Sequence, residues 1–372
     1  MRLFALLWIT AFGSGVGSGI LAQTATTAGP THSMNPDVSV NALTLYSYAK
    51  RSGNDKAEDG GGLALQEVEM QFTADVDPYL KASALLSVHP EEAEQAPVPT
   101  TTPAPQPEPK EHKFAIEPEE VFLETISIPN VTFKLGRFHA ALGRHNSLHT
   151  HAFPFIDAPI ISQKLLGEDG LTEVGLSAAV LLPASWFAEV TAQALQGDSP
   201  TLFASESSTD MAYVYRLRNL FDVTDSMTLD VGLSGASGAN FYGDRTAVSG
   251  ADLTIKWRPS QGGKYASFIF STEYLKGEVK GRPEEEKLSG LATWVQYQFA
   301  ERWWLQARTE QCDTGEDDGK ETKHSLLLSF FPSEFSGFRL QVARLSDKED
   351  KPLDTVALQG NFTIGAHPAH AY

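Results

Sequence analysis

The sequence has little cysteine, little positive charge and no long apolar run. Its one cysteine, Cys312, excludes an intramolecular disulfide, which many exported soluble proteins rely on. Beyond the amino terminus, no segment approaches the roughly 18 consecutive apolar residues that a membrane-spanning helix needs. Lysine and arginine number 29 against 47 aspartates and glutamates, giving a net charge of −18. This balance argues against a nucleic-acid-binding protein, which needs basic patches.

The amino terminus predicts export. A positively charged start is followed by a short apolar run, residues 3–12 (LFALLWITAF), and then by small residues. This order is typical of a secretory signal peptide, and the apolar run is too short to span a bilayer. We therefore predict a signal peptide over residues 1–22, a flexible lead-in over residues 23–36 and a folded domain over residues 37–372.

Apolar residues recur with a period of two along much of the folded domain. In residues 251–258 (ADLTIKWR), Ala, Leu, Ile and Trp share one face, and Asp, Thr, Lys and Arg share the other. Residues 227–234 (MTLDVGLS) and 186–195 (WFAEVTAQAL) follow the same pattern. This alternation predicts β-strands that each have one apolar and one polar face.

The connections between these strands alternate between short turns and long loops. We count about sixteen strands of roughly ten residues, the length that a tilted strand needs to cross a bilayer. An even strand number with short turns at one end and long loops at the other is typical of outer-membrane barrels. The sequence therefore predicts an all-β fold, a transmembrane antiparallel up-and-down β-barrel in the outer membrane. A soluble sandwich or barrel, with its apolar face inward, is the alternative.

Aromatic residues cluster beside the short turns. Amphipathic rings settle at membrane interfaces, so this position predicts an aromatic girdle on the periplasmic side. The residues are Trp257, Phe299, Trp303, Trp304, Phe330, Phe331, Phe335 and Phe338.

Two of the long loops have unusual composition. The second, residues 89–118, contains a proline-rich stretch at 95–110 (QAPVPTTTPAPQPEPK), which predicts a disordered external loop. The third, residues 139–172, lacks strand alternation and carries apolar residues that an exposed loop would not favour. We predict that this third external loop folds back into the lumen and constricts it.

The candidate pore-lining residues are charged. Because the predicted lumen wall carries both signs of charge, the sequence leaves anion or cation preference open. The candidates are Arg137, Arg144 and Asp157 in and beside the third loop, and Lys134, Arg216 and Lys256 on the wall.

Four histidines fall within thirteen positions of the third loop: His139, His145, His149 and His151. Imidazole is a ligand for zinc, copper, iron and nickel. We take His145, His149 and His151 as candidate metal ligands, although their spacing matches no compact zinc motif and hydrogen-bonded structural histidines are the alternative. The sequence has neither an HExxH nor a GxSxG motif, and we predict no catalysis and no cofactor.

Short motifs of the third loop resemble a family of outer-membrane proteins often labelled zinc-regulated TonB-dependent receptors. The motifs are GRF at 136–138, GRHN at 143–146, LHTH at 148–151, PFID at 154–157 and the ending GAHPAHAY at 365–372. More loosely, a strand followed by GRF is similar to phosphate-selective porins O and P. The resemblance implies an outer-membrane barrel. A TonB-dependent receptor has a plug and a 22-stranded barrel, so sixteen strands favour passive transport instead.

These features predict a porin-like channel for passive diffusion of small polar or charged solutes. The expected partners are the lipid bilayer, lipopolysaccharide, the barrel-assembly machinery and the solutes, with a homotrimer or a monomer as the assembly and no nucleic acid. Two alternatives remain. One is a metal- or anion-selective uptake channel that uses the third-loop histidines, and the other is a non-conducting surface scaffold or adhesin.

Overall fold

Sixteen antiparallel strands form a closed barrel, in which each strand pairs with its sequence neighbours and β1 pairs with β16. The computed structural model describes residues 36–52, 61–90, 114–205, 207, 209–281, 286–314, 319–347 and 351–365. The strands are β1 (Asp37–Arg51), β2 (Gly62–Asp75), β3 (Leu80–Pro90), β4 (Phe114–Thr125), β5 (Val131–His139), β6 (Thr172–Leu181), β7 (Phe187–Leu195), β8 (Ala212–Thr224), β9 (Met227–Ala239), β10 (Arg245–Trp257), β11 (Ser267–Val279), β12 (Glu286–Ala300), β13 (Trp303–Asp313), β14 (Lys320–Ser333), β15 (Ser336–Ser346) and β16 (Leu353–Gly365). The predicted sixteen-stranded antiparallel barrel is confirmed.

The outer face of the barrel is apolar. One row of cross-strand partners consists of leucines on four successive strands, each with 36–48% of its surface exposed. The leucines are Leu305, Leu328, Leu340 and Leu358. The adjacent inward row includes Gln306 and Gln341, both buried. Apolar side chains outside and polar side chains inside invert the arrangement of a soluble protein and suit a barrel surrounded by lipid.

Leu340→Arg is expected to lower the free energy of unfolding in lipid vesicles by about 2–4 kcal/mol, because a charge on the lipid face must leave water. Denaturant titration of the folded barrel measures this change. Ser346→Arg is the matched control, since Ser346 ends the same strand at the long-loop rim beside the exposed Arg344. The control is expected to cost about 0–1 kcal/mol. Equal losses in the two variants would contradict a lipid-facing surface at Leu340.

The four longest connections, 52–61, 91–113, 140–171 and 196–211, all lie at one rim, as predicted. The later connections at that rim are shorter than predicted, since 240–244 has five residues and the turn 258–266 at the opposite rim has nine. The second long loop is shorter than the predicted 89–118. The ladder between β3 and β4 continues as far as the pair Pro90 and Phe114, so only 91–113 lie between these strands. The proline-rich stretch 95–110, the signal peptide 1–22 and most of the lead-in lie outside the described residues.

Four of the eight aromatic residues beside the short turns lie exposed on the outer face. Trp257, Phe299, Trp303 and Phe338 are exposed on the outer face, whereas Trp304 is buried. Successive side chains of a strand point to opposite faces, so neighbouring tryptophans cannot both join an outer girdle. The placement of Trp304 in the predicted girdle is therefore wrong.

Helix is confined to the connection between β5 and β6, as far as the described residues show. It comprises two short 3-10 helices, His145–Ser147 and Thr150–Ala152, and the α-helix α1 (Ile160–Leu166). Within the described part of the chain, no helix is both long and apolar enough to cross a membrane. We call this connection, residues 140–171, loop three.

Candidate functional site in the barrel lumen

Loop three leaves and rejoins the barrel wall through a narrow neck. The amide of Ala140 donates to the carbonyl of Leu171 at 2.8 Å, which continues the pairing of β5 with β6. The side-chain amide of Asn146 donates to both of these residues' carbonyl oxygens, at 2.8 and 3.0 Å. Its oxygen accepts the amide of Leu171 at 2.7 Å. Asn146 thus holds the two ends of loop three together.

The middle of loop three reaches the opposite wall of the barrel. Asp157 accepts hydrogen bonds from Arg308 of β13 at 2.9 Å and from Gln341 of β15 at 2.6 Å. It also pairs with Lys323 of β14. Strands β13 and β14 lie halfway around the ring from β5 and β6. Loop three therefore spans the lumen from one side to the other.

The positive charges of Arg308 and Lys323 keep Asp157 ionised. Burial by itself raises the pKa of this carboxyl, but Arg308 and Lys323 lower it more, so the pKa lies well below its ordinary value. Arg308 also pairs with Glu310 at 2.7 Å, and Glu310 accepts the amide of Ile160 at 2.7 Å. The first backbone amides of a helix have no acceptor within the helix, and Glu310 provides one for the amide at the start of α1. The network ties both Asp157 and α1 to strand β13.

Apolar contacts hold the same segment against the wall. Ile161 and Leu165 of α1 pack over two glycines of the wall, Gly290 and Gly277. A Cβ atom at Gly290 would lie 2.6 Å from the Cβ of Ile161, and one at Gly277 would lie 2.3 Å from a methyl of Leu165. Real Cβ atoms do not approach so closely, so the glycines make room for the helix.

A second apolar cluster joins loop three to β12 and β14. Phe155 and Ile156 pack with Trp294 and Leu327, all of which are buried. These contacts put apolar wall residues inside the lumen, where a water-filled barrel would carry polar ones. The lumen wall is therefore shaped to receive loop three.

Two of the five predicted basic lumen residues, Arg144 and Arg216, are paired with carboxylates. Arg144 donates to Asp230 at 3.1 Å, and Arg216 donates to Asp252 at 2.8 Å. Arg218 also binds Asp230, at 2.7 Å. The charges of this sector, on strands β8 to β10, are thus largely offset within the wall and loop three.

The remaining candidates occupy different places. Lys134 lies over the ring of Phe122, with 3.9 Å from its nitrogen to the ring centroid. Lys256 and Arg144 line a small pocket of about 40 Å³ beneath loop three. Arg137 donates to the carbonyl of Pro118 at 3.0 Å and lines a larger cavity. Of the predicted cations, Arg137 is the one that faces the large open volume.

The main cavity, of about 850 Å³, lies between loop three and strands β2 to β5. Among the described residues that line it, five are carboxylates and one is a guanidinium, Arg137. The carboxylates are Glu67, Glu117, Glu119, Glu168 and Asp169. The lining is therefore acidic, which the mixed charges of the sequence did not reveal.

Three histidines meet carboxylates at one edge of this cavity. Glu119 Oε1 lies 3.1 Å from His139 Nε2 and 3.0 Å from His149 Nδ1. The other ring nitrogen of His149 lies 3.3 Å from Glu120. His151 pairs with Glu69, and its ring stacks on that of His149 with centroids 6.0 Å apart. We call these six residues the histidine cluster.

The charge state of His149 follows from these neighbours. Burial lowers the pKa of this imidazole, but the hydrogen bonds and charges of Glu119 and Glu120 outweigh burial. The pKa is therefore raised well above its ordinary value, so His149 is a cation at neutral pH when only protons occupy the cluster.

His145 was predicted as a metal ligand together with His149 and His151, but it lies apart from the cluster. Its ring packs on that of Phe153, with centroids 4.4 Å apart. Burial and the nearby charge of Arg308 lower the pKa of His145 to about 3, so the ring is neutral. Because loop three turns between its two 3-10 helices, His139 rather than His145 meets His149.

Glu119 and Glu120 are site residues that the alternating pattern does not predict, because β4 contains a β-bulge. Strict alternation cannot turn two adjacent side chains to the same face. In β4 the register shifts between the pairs Leu85 with Glu120 and Leu86 with Pro118, which leaves Glu119 as the extra residue. The bulge lets both carboxylates reach the histidines. The irregular apolar pattern of β4 was the only signal of it in the sequence.

Sequence similarity to known proteins is limited. No model of a known protein family matches the sequence. An uncharacterized protein of Aquifex aeolicus (strain VF5) is 29% identical over 300 residues, which cover 68% of this chain and 63% of that protein. The chain thus spans less than two thirds of this relative's length.

Solved structures of outer-membrane proteins share the barrel at low identity. A loop-deletion mutant of OmpT, an outer membrane protein of Vibrio cholerae, is 10% identical with a TM-score of 0.56, covering 89% of this chain and all of that one. The outer membrane channel DcaP of Acinetobacter baumannii is 11% identical with a TM-score of 0.55, covering 88% and 97%. A BenF-like porin from Pseudomonas fluorescens Pf-5 is 10% identical with a TM-score of 0.51, covering 89% and 98%.

These similarities show that the chain has the barrel fold of outer-membrane porins. The coarse part of the family resemblance, an outer-membrane barrel, agrees with them. None of these relatives is named as a zinc-regulated receptor or as a phosphate-selective porin, and the barrel has sixteen strands rather than 22.

Proposed function

We propose that this protein is a porin-like channel of the outer membrane through which small polar solutes diffuse passively. The observation that carries the proposal is that loop three spans the lumen from β5 and β6 to β13 and β14 and leaves a polar cavity beside it. A barrel filled in this way acts as a sieve, because the solute must pass between the loop and the wall.

The charges of the cavity indicate the preferred solute. Even without Glu119, whose charge His149 offsets, four carboxylates outnumber the single guanidinium among its described lining residues, so the passage attracts cations and repels anions. The basic residues Arg144 and Arg216 do not reverse this preference, since each is paired with an aspartate. We infer a channel that favours cationic over anionic solutes of similar size.

The surroundings of such a channel follow from its outer face. The apolar belt that includes Leu340 contacts the acyl chains of the bilayer, and the long-loop rim faces lipopolysaccharide. Export by the signal peptide and insertion by the barrel-assembly machinery precede this arrangement. The channel works as a monomer or as a homotrimer.

In a liposome-swelling assay, lysine is expected to enter faster than glutamate, and neutral sugars are expected to enter more slowly as their size increases. The physical reason is the acidic, narrowed passage beside loop three. The triple variant Glu117→Gln, Glu168→Gln, Asp169→Asn is expected to reduce the ratio of the lysine rate to the glutamate rate. Rates that saturate with solute concentration would argue against passive diffusion.

Glu278→Gln is the matched control for this charge effect. Glu278 lies near the end of β11, pairs with Lys276 and does not line the cavity. The control is expected to keep the wild-type preference for lysine. If the triple variant also kept it, the cavity would not be the solute path.

The same assay separates the alternatives. A folded barrel that admits no solute would be a scaffold or adhesin rather than a channel. A barrel that admits only metal ions or only anions would be a selective uptake channel.

A further inference from the structure

We propose that His139, His149 and Glu119 form a binding site for a divalent transition-metal ion of the zinc class, at the junction of loop three with the barrel wall. The three ligand atoms, two imidazole nitrogens and one carboxylate oxygen, lie within 4.8 Å of one another. His139 ends β5, His149 belongs to loop three and Glu119 is the bulged residue of β4. The site rests on these contacts whether or not the barrel conducts.

Two of the three spacings between ligand atoms are close to those around a tetrahedral ion. Glu119 Oε1 lies 3.1 Å from His139 Nε2 and 3.0 Å from His149 Nδ1. Ligand atoms about 2.0–2.1 Å from a tetrahedral zinc ion lie roughly 3.3 Å apart. Small rotations of the three side chains therefore open the space that the ion needs. The adjoining cavity provides access and a water molecule for a fourth position.

Both imidazoles are oriented by a second partner. Nδ1 of His139 lies 2.8 Å from the hydroxyl of Thr172, and Nε2 of His149 lies 3.3 Å from a carboxylate oxygen of Glu120. Metal-binding histidines usually hold their other ring nitrogen in this manner, by a carboxylate or another polar group. The nitrogens that face Glu119 are thus fixed in direction by groups that would not bind the ion themselves.

Crowded carboxylates around the site favour a bound cation. Glu69 is 3% exposed and pairs with His151. Its carboxylate lies within 4.8 Å of those of Glu67 and Glu119. Carboxylates this close together repel one another, so an added positive charge beside them is stabilising. A zinc ion that replaces the proton of His149 adds one positive charge at Glu119.

The donor set indicates the class of ion. Two imidazoles and one carboxylate suit zinc and similar transition metals, whereas calcium and magnesium prefer ligand sets made of oxygen atoms. An ion bound here would join loop three to β4 and β5, across the lumen from the strands that Asp157 contacts. The ion would add a link to those that Arg144 and Asp157 already make between loop three and other strands.

Isothermal titration of the tag-free, folded barrel in detergent tests the site. We expect one zinc ion per chain, and a loss of zinc affinity of about 100-fold or more for His149→Ala and for the nearly isosteric Glu119→Gln. His324→Ala, which removes an exposed histidine of β14, is the matched control and is expected to bind zinc as the wild type does. Heat-modifiable migration in gels checks that each variant is folded.

Two results would overturn the site. One is a folded wild-type barrel that binds no zinc. The other is binding that calcium matches in affinity and that survives His149→Ala, because the acidic residues alone would then account for it. Zinc binding lost in both variants and kept in His324→Ala supports the site, even if the barrel forms no channel.

Discussion

Removal of loop three is expected to raise the single-channel conductance several-fold. Asp157 and α1 fix this segment across the lumen, so the ions that pass must go around it. Without it, the lumen is limited by the width of a sixteen-stranded barrel, which is sufficient for an aqueous channel. Planar-bilayer recordings of the refolded variant measure the change.

The variant can be made without breaking the β5–β6 ladder. His139 and Thr172 are partners in the β5–β6 ladder, and Ala140 bonds to Leu171, so a short Gly-Ser turn can replace residues 141–170. Deletion of the proline-rich stretch 95–110, which the composition predicts to be an external segment, is the control and should leave the conductance unchanged. A folded loop-three deletion with wild-type conductance would show that loop three does not limit the pore.

Arg308→Met is expected to lower the free energy of unfolding by about 3–5 kcal/mol. The side chain of Arg308 is 2% exposed and binds Asp157 of loop three and Glu310 of the wall. Its removal leaves Glu310, also 2% exposed, with a buried charge that has lost this partner. Loss of one member of a buried ion pair is costly because the remaining charge cannot be solvated. Denaturant unfolding in lipid vesicles gives the value.

Arg344→Met is the control for this prediction. Arg344 pairs with Asp354 between β15 and β16, where both side chains are about half exposed. Water screens such a pair, so its loss is expected to cost about 0–1 kcal/mol. If both substitutions cost the same small amount, the Asp157 network would not contribute to holding loop three in place.

The barrel was predictable from the sequence because it depends on a periodic feature, the alternation of apolar and polar residues. A strand that separates lipid from lumen must alternate apolar and polar residues, and stretches such as 251–258 do so without interruption. Turn lengths then fix the order of the strands, since each pairs with the next. The strand ends were less predictable, as Pro90 and Phe114 show, because pairing extends strands beyond their alternating part.

The position of loop three was predictable only in outline. Its apolar residues indicated burial, and Leu326, Leu327 and Leu328 of β14 carried a second signal, since a strand with polar lumen contacts should not be apolar on both faces. Leu327 is the inward residue of the three and packs beneath loop three. The partners of Asp157 were beyond prediction, because they lie more than 150 residues away along the chain.

The histidine cluster was the least predictable part. The group of histidines in the sequence predicted that His149 and His151 belong to a site. The same prediction included His145, whose ring packs on Phe153 instead. The carboxylates come from β2 and β4, and Glu119 faces the lumen only because of a bulge. A bulge is one extra residue in a ladder, and no local composition marks it.

Single-channel recording of the refolded chain in a planar bilayer tests whether the barrel is a cation-preferring channel. Protein that migrates as a folded barrel is expected to give stable open steps, with a reversal potential in a salt gradient that indicates preference for cations. A folded barrel that gives no conductance steps would contradict the channel. Open steps that prefer anions would contradict a solute path through the acidic cavity beside loop three.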